Sequence, residues 1–372
     1  MVKTKHNKKS NLNIAKLEKE LLTTNKKKVI PLDCFPTGCD LLDILVGGGI
    51  TEGSPAGRIL NIVGDKSSGK TFLSIEVIAA AKQKYGKALK WVYDDAESGF
   101  SFDTKKLYGF EIMPMDKDKR IKSPTVEDAY CNVREFFEKL KSDEFGIYVI
   151  DSLDALNDKE GKKIADDQYK TYKKRKASPT EKEVKEKGSY RMAKAKYLSN
   201  TFFPNLADLI EKKNGLLIII SQVRCNLDPF SFEKYSRAGG KAMDFYAHTV
   251  LWLANLKKLK KCDRPVGVVV KASNRKSKTP RPYRELMFTL YFDYGLDNIT
   301  TNVDFLYDLL TNTGLPSSKE SITWDDSPKM NRAKMIDYII DNNLEKELKK
   351  RALAKWEAIE TKIKTNRKPK YQ

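Results

Sequence analysis

Eight consecutive residues carry the sharpest chemical signal in the chain: Gly64-Asp65-Lys66-Ser67-Ser68-Gly69-Lys70-Thr71 fits the pattern G-x-x-x-x-G-K-[ST]. In that pattern the glycines let backbone N–H groups wrap phosphate oxygens at the start of a helix. The lysine neutralises β and γ oxygens, and the final hydroxyl ligates Mg²⁺. The context is the required one, because the apolar run Ile59–Val63 precedes the motif and a helical stretch, Phe72–Ala81, follows it. ATP or a similar triphosphate, with Mg²⁺, is the expected ligand pair.

A phosphate loop needs a carboxylate for the metal's water shell, placed at the carboxyl end of another buried strand of the same sheet. Ile147-Tyr148-Val149-Ile150-Asp151 supplies one. Hydrolysis also needs a group that orients the attacking water. Glu97, in Asp94-Asp95-Ala96-Glu97 just past the run Ala88–Tyr93, is the best placed, with Asp94 and Asp95 competing on sequence alone. A further run, Leu216–Ile220, ends in Ser221-Gln222, and an amide at that edge could touch the γ-phosphate and report its loss. The segment that follows, residues 223–241, interleaves Arg224, Phe230, Phe232, Lys234, Tyr235 and Arg237 and closes with Gly239-Gly240-Lys241. Cations for phosphates and rings for bases make it a candidate surface for single-stranded nucleic acid. Joined to Gln222, such a loop could be switched by nucleotide. The stretch Lys271–Thr279 reads as a basic hairpin whose Arg275, Lys276 and Lys278 could reach a nucleotide held by a neighbouring subunit.

These residues need a scaffold, and the composition provides for one. The chain has 372 residues with 40% hydrophobic and 32% charged. At roughly 150 residues per domain that is two to three domains, enough to bury a core without staples. Short apolar runs (those above, with Val250–Leu253 and Val266–Val270) alternate with helical stretches, and Leu286–Phe292 alternates at the end. Strands buried on both faces look like this. The expected fold class is α/β, a mainly parallel sheet flanked by helices with an antiparallel edge after Lys257.

The expected organisation runs from a basic N-terminal segment, 1–34, whose Ile14, Leu17 and Leu21 mark a small amphipathic helix, to the core, 35–297. Residues 158–188 form an exposed, lysine-rich insertion in that core. A small α-rich unit, 298–361, places Val303, Leu306, Leu309 and Leu310 on one helix and Met335, Ile336, Ile339 and Ile340 on another, with Trp324 and Trp356 filling it. A basic tail, 362–372, ends the chain. The apolar runs are too short to cross a membrane and the N-terminus lacks the apolar core of a signal peptide, so a cytoplasmic protein is expected. Five scattered cysteines and two histidines argue against disulfides, a zinc site or a histidine base. With 70 Lys+Arg against 50 Asp+Glu, the net charge of +20 suits an anionic partner such as nucleic acid.

The order of these pieces resembles the RecA-type recombinases, bacterial and phage, and the altered segments point to a phage-encoded member. Phe35-Pro36-Thr37-Gly38-Cys39-Asp40-Leu41-Leu42-Asp43 with Gly47-Gly48-Gly49 is similar to that family's lead-in to the phosphate loop. Asp95-Ala96-Glu97, Asp151-Ser152-Leu153-Asp154-Ala155-Leu156, Gln222-Val223-Arg224 and Gly239-Gly240-Lys241-Ala242-Met243-Asp244-Phe245 follow in register. The resemblance implies a RecA-like ATPase core in which Glu97 activates water, Gln222 senses the γ-phosphate, 223–241 is a DNA-binding loop and Phe245 lies at a subunit interface. It implies trans-acting cations, Lys276 being favoured by its distance from Pro280. It further implies a helical filament on single-stranded DNA, docked through the Ile14–Leu21 helix, that pairs with duplex DNA and exchanges strands. A single-strand-binding protein and a loader are further candidate partners. A hexameric helicase-like motor and a DNA-coating filament without exchange are the alternatives. Where bacterial members usually end in an acidic tail, this chain ends in Lys364 to Lys370 and should bind DNA with a stronger salt dependence.

Overall fold

A computed structural model describes residues 33–114, 116–177, 190–225, 235–237, 240–319, 321–365, 367 and 370. The expected Ile14–Leu21 helix, Phe230, Phe232, Lys234 and Gly239, and part of the insertion and tail lie outside the described residues. The chain divides into two compact units at Asp297/Asn298.

In the larger unit a two-residue ladder, β1 (Cys34–Phe35) with β2 (Ser54–Pro55), leads into one nine-stranded sheet. Its strands are β3 (Arg58–Gly64), β4 (Leu89–Asp95), β5 (Phe145–Asp151), β6 (Gly215–Cys225), β7 (Tyr235–Arg237), β8 (Thr249–Lys261), β9 (Arg264–Ser277), β10 (Glu285–Tyr291) and β11 (Gly295–Asp297). The spatial order is β11-β10-β9-β8-β3-β6-β5-β4, with β7 beside the end of β6. From β8 to β4 every pairing is parallel; β9, β10 and β11 add an antiparallel wing. The expected sheet and its antiparallel edge are therefore present.

The apolar runs form these strands because both faces are covered. Ile59 and Val63 of β3, Tyr148 and Ile150 of β5, and Leu217 and Ile219 of β6 pack with the helices Val126–Lys139 and Phe203–Lys212. Strand residues alternate faces, so Leu60, Ile62, Ile147, Val149, Ile218 and Ile220, all buried, turn to the other side. The helix Lys70–Tyr85 packs against the parallel strands. Thr125 caps the helix Val126–Lys139 by accepting from Asp128 N at 3.2 Å, with Glu127 and Asp128 in the first turn beside the positive end of the helix dipole.

One expectation about the basic stretches changes. Lys271–Ser277 is not a hairpin turn but the second half of β9, because Ala272 and Asn274 are fully buried between outward-facing Lys271, Ser273 and Arg275. The turn lies earlier, at Cys262-Asp263, where both residues have positive φ (48° and 59°) as a tight hairpin requires. In the insertion, Lys159–Ala177 is a 19-residue helix with Tyr169 and Tyr172 exposed.

The smaller unit packs the helices Asn298–Tyr307, Arg332–Asp341 and Glu345–Lys362 around Val303, Trp324, Met335, Ile339 and Leu348. Leu309 and Leu310 fall beyond the first helix, which Asp308 ends at φ 53°. Lys355 Nζ closes that end, donating to the carbonyls of Phe305 and Leu306 at 2.9 Å each and to Asp308 at 2.7 Å. Trp356 is buried against Phe305.

Candidate functional site

The phosphate loop joins the end of β3 to the helix Lys70–Tyr85. Gly64 must be glycine: a Cβ there would stand 2.8 Å from Leu253 O and 2.3 Å from Ser68 Oγ. Gly69 and Ser67 hold φ of 86° and 58°, which bends the loop back over the first turn of the helix. Lys70 Nζ donates to Asp65 O at 2.8 Å. Burial pushes the Lys70 ammonium down, and Asp151, Glu97, Asp65 and Asp154 oppose that shift.

Opposite the loop, Thr71 Oγ1 donates to Asp151 Oδ2 at 2.8 Å, and Tyr93 O–H donates to the same oxygen at 2.7 Å. Burial raises the Asp151 carboxyl, the two donors act against the rise, and the neighbouring Glu97 and Asp95 add to it. Tyr93 is itself held neutral, first by burial and then by Asp151. Carboxylates crowded in this way favour a cation among them.

Glu97 sits on a turn whose shape Asp95 fixes by accepting from Gly99 N at 3.1 Å and Phe100 N at 3.0 Å. Glu97 Oε1 accepts from Gln222 Nε2 at 2.8 Å and from Ser152 Oγ. Asp94, by contrast, is fully buried and spends its oxygens on Ser123 and Tyr148. Of the three acids that compete on sequence, Glu97 is the one beside Gln222.

These groups open on a cavity of about 640 Å³ lined by the phosphate loop, Asp95, Glu97 and Asp151. The lining also includes Phe102, Asn255 and Lys258 of β8, Pro265 of β9 and Phe292 just past β10. The cavity fits a nucleotide: the phosphate loop supplies polar groups for phosphates, and Phe72, Phe102 and Phe292 supply rings. Mg²⁺ fits as well. One hydroxyl and one carboxylate, with no cluster of three metal-ligating side chains among the described residues, suit an ion completed by phosphate oxygens and water. Ser68 Oγ, buried and without a hydrogen-bond partner among the described residues, lies where a phosphate oxygen would accept from it.

The expected nucleic-acid loop leaves the sheet at the end of β6 and returns along β7. Arg224 Nη2 donates to Asp154 Oδ1 at 2.7 Å. Arg237, expected on the DNA surface, has a side chain only 6% exposed and paired with Asp244, so it braces the loop. Gly240 starts the short helix Gly240–Tyr246; Lys241 on it is exposed, and Phe245 is 69% exposed.

The expected trans-acting cations gather at the other end of the sheet. Lys276 Nζ donates to Ala247 O at 2.8 Å and Phe245 O at 3.2 Å, and Lys278 lies 5.8 Å from the Phe245 ring. Arg275, the extra residue of a β-bulge opposite Val250/Leu251, stacks on Trp252 at 3.9 Å. Sequence reasoning missed Tyr93, Phe102, Ser152, Asp154 and the cavity lining from β8, β9 and Phe292. Ser152 and Asp154 stood within a motif it had quoted, beside Asp151; the others carry no local signal.

A match to the RecA N-terminal domain family spans residues 12–297. The chain is 27% identical to Protein RecA of Geobacter metallireducens over 277 residues, which is 74% of this chain and 72% of that protein. It is equally similar, 27% over 286 residues, to Protein RecA of Campylobacter lari, covering 77% and 74%. Among solved structures, a crystal structure of the RadB recombinase aligns with a TM-score of 0.45 at 17% identity, covering 70% of this chain and 98% of that one.

Proposed function

Because the chain belongs to the RecA family, we propose that it is an ATP-dependent DNA recombinase that polymerises on single-stranded DNA as a helical filament and catalyses homologous pairing and strand exchange. The observation that carries this reading is the position of Gln222. Its side chain donates to Glu97 at the nucleotide cavity, and the strand that carries it runs on through Arg224 toward the basic, aromatic loop. One strand end thus serves both sites, which is what a DNA-dependent ATPase requires.

In the proposed reaction the phosphate-loop N–H groups and Lys70 bind the triphosphate and spread its charge. Thr71 and Asp151 would hold Mg²⁺, whose charge neutralises the β and γ oxygens. Glu97, whose Oε1 is held by Ser152 and Gln222, takes a proton from water at its other oxygen, Oε2, as the water oxygen bonds to the γ-phosphorus and the bond to the β–γ bridging oxygen breaks, releasing ADP. Lys276, with Arg275 and Lys278, would act on a nucleotide held by the adjacent protomer, with Phe245 beside them at the interface. Arg224, Phe230, Phe232, Lys234, Gly239, Gly240 and Lys241 form the DNA surface, with Arg237 bracing it. Double-stranded DNA enters as the second substrate, in the cytoplasm of a bacterial cell or phage-infected host. ATP hydrolysis measured with and without long single-stranded DNA tests the reading: a clear rise with DNA is expected, and hydrolysis indifferent to DNA contradicts it.

A further inference from the structure

Three of the four residues Asp151–Asp154, at the end of β5, touch three functional parts in turn: Asp151 holds Thr71, Ser152 donates to Glu97, and Asp154 reaches β6. The motif gives the first a role and the geometry of the water-activating acid explains the second. Asp154 is left, and its partners are specific. One oxygen, Oδ2, accepts from the backbone N–H of Gln222 at 2.8 Å; the other, Oδ1, accepts from Arg224 Nη2 at 2.7 Å. Its side chain is 8% exposed while that of Arg224 is 49% exposed. The segment beneath is fastened on both sides, by Leu153 N to Ile220 O at 3.0 Å and by Lys194 Nζ to the carbonyls of Leu153 and Leu156 at 2.6 Å each. Asp154 is therefore a rigidly mounted acid gripping the strand that carries both Gln222 and Arg224.

We propose that Asp154 is a positioning residue that couples the nucleotide site to the DNA loop, by occupying Arg224 in the free protein and giving it up to a DNA phosphate. The inference rests on the reading under Proposed function. A buried carboxylate that loses its cation is costly, so transfer of Arg224 to DNA favours a shift of the strand end, and that shift carries the Gln222 backbone with it. Nucleotide that draws Gln222 away from Glu97 promotes the same release. By linkage, the factor by which nucleotide tightens DNA binding equals the factor by which DNA tightens nucleotide binding.

The test measures binding of the full chain to a dT oligonucleotide by fluorescence anisotropy, with and without a non-hydrolysable ATP analogue and Mg²⁺. Without nucleotide, Asp154→Asn frees Arg224 and should tighten DNA binding by about two- to fivefold, as for a partly exposed ion pair. The enhancement caused by the analogue should shrink by the same factor. Arg224→Gln approaches the pair from its exposed side. It should weaken binding several-fold with the analogue and by a smaller factor without it, because the guanidinium is engaged by Asp154 there. In that background Asp154→Asn should add nothing. If Asp154→Asn leaves both affinity and enhancement at wild-type values, or shifts them equally with and without Arg224, the coupling role is overturned. A wild-type chain that binds no DNA, or binds it without regard to nucleotide, defeats the reading under Proposed function first.

Discussion

The two ends of the parallel strands have opposite chemistry. At the carboxyl end Asp151, Glu97, Asp65 and Asp154 act on Lys70, and Glu97, Asp151 and Asp154 accept from neighbouring side chains or backbone. At the amino end the gathering is of cations: burial pushes the His248 imidazole from the ordinary 6.5 down to about 4, and Arg58, Lys278 and Lys276 add to the shift. Lys276 there is parked on backbone carbonyls, and burial and Lys278 push its ammonium down. One end is arranged for a metal and a polyphosphate; at the other Arg58 is paired with Glu211 at 2.8 Å, which leaves Lys276 and Lys278 as the cations for an incoming anion. A head-to-tail assembly would bring the second to the first and relieve both, which is how heterologous contacts generate filaments.

The comparison breaks most readily at the acidic end. Glu97→Gln should lower kcat by up to about 10⁴-fold, the upper range for loss of a proton acceptor, while ATP binding and DNA coating persist. Normal turnover in that variant, read in a coupled ATPase assay, would move the role to another acid. At the basic end, Lys276→Ala should lower DNA-stimulated kcat by about 10³-fold, in the range of cations acting in trans, with ATP affinity of the isolated chain unchanged. A loss of ATP affinity instead would place Lys276 in its own subunit's site.

The smallest effect concerns stability. With its folded value near 4, below 6.5, His248 leaves the unfolded chain binding more protons between those pH values. Its contribution is present above about pH 6.5 and is lost as pH falls toward 4. Urea midpoints over that window should drop more steeply for the wild type than for His248→Asn; parallel slopes would mean that neither burial nor the cations shift this ring.

Much of this was legible in the residues. The phosphate loop, Asp151 and the parallel strands announce themselves because each is a contiguous pattern with a local physical cause. Glu97 could be narrowed to three acids but not chosen without the family resemblance, since the partners that distinguish it, Ser152 and Gln222, come from other strands. The basic stretch after Lys271 read as a turn because its lysines and arginine dominate the composition, whereas two small buried residues, Ala272 and Asn274, decide that it is a strand. Asn274 reaches Leu45 O at 3.0 Å, a contact across 229 positions that no window of sequence contains. Leu309 and Leu310 kept helical spacing but lie past a left-handed Asp308. The walls of the cavity from β8, β9 and the residue after β10 were likewise invisible, because only the antiparallel wing folds them over the loop.

The central claim is that ATP turns this chain into a filament on single-stranded DNA. Electron microscopy of the protein on long single-stranded DNA with Mg²⁺ and a non-hydrolysable ATP analogue, beside a sample without nucleotide, tests it most directly. Continuous helical filaments that depend on nucleotide are the predicted result; discrete rings or bare DNA would contradict it.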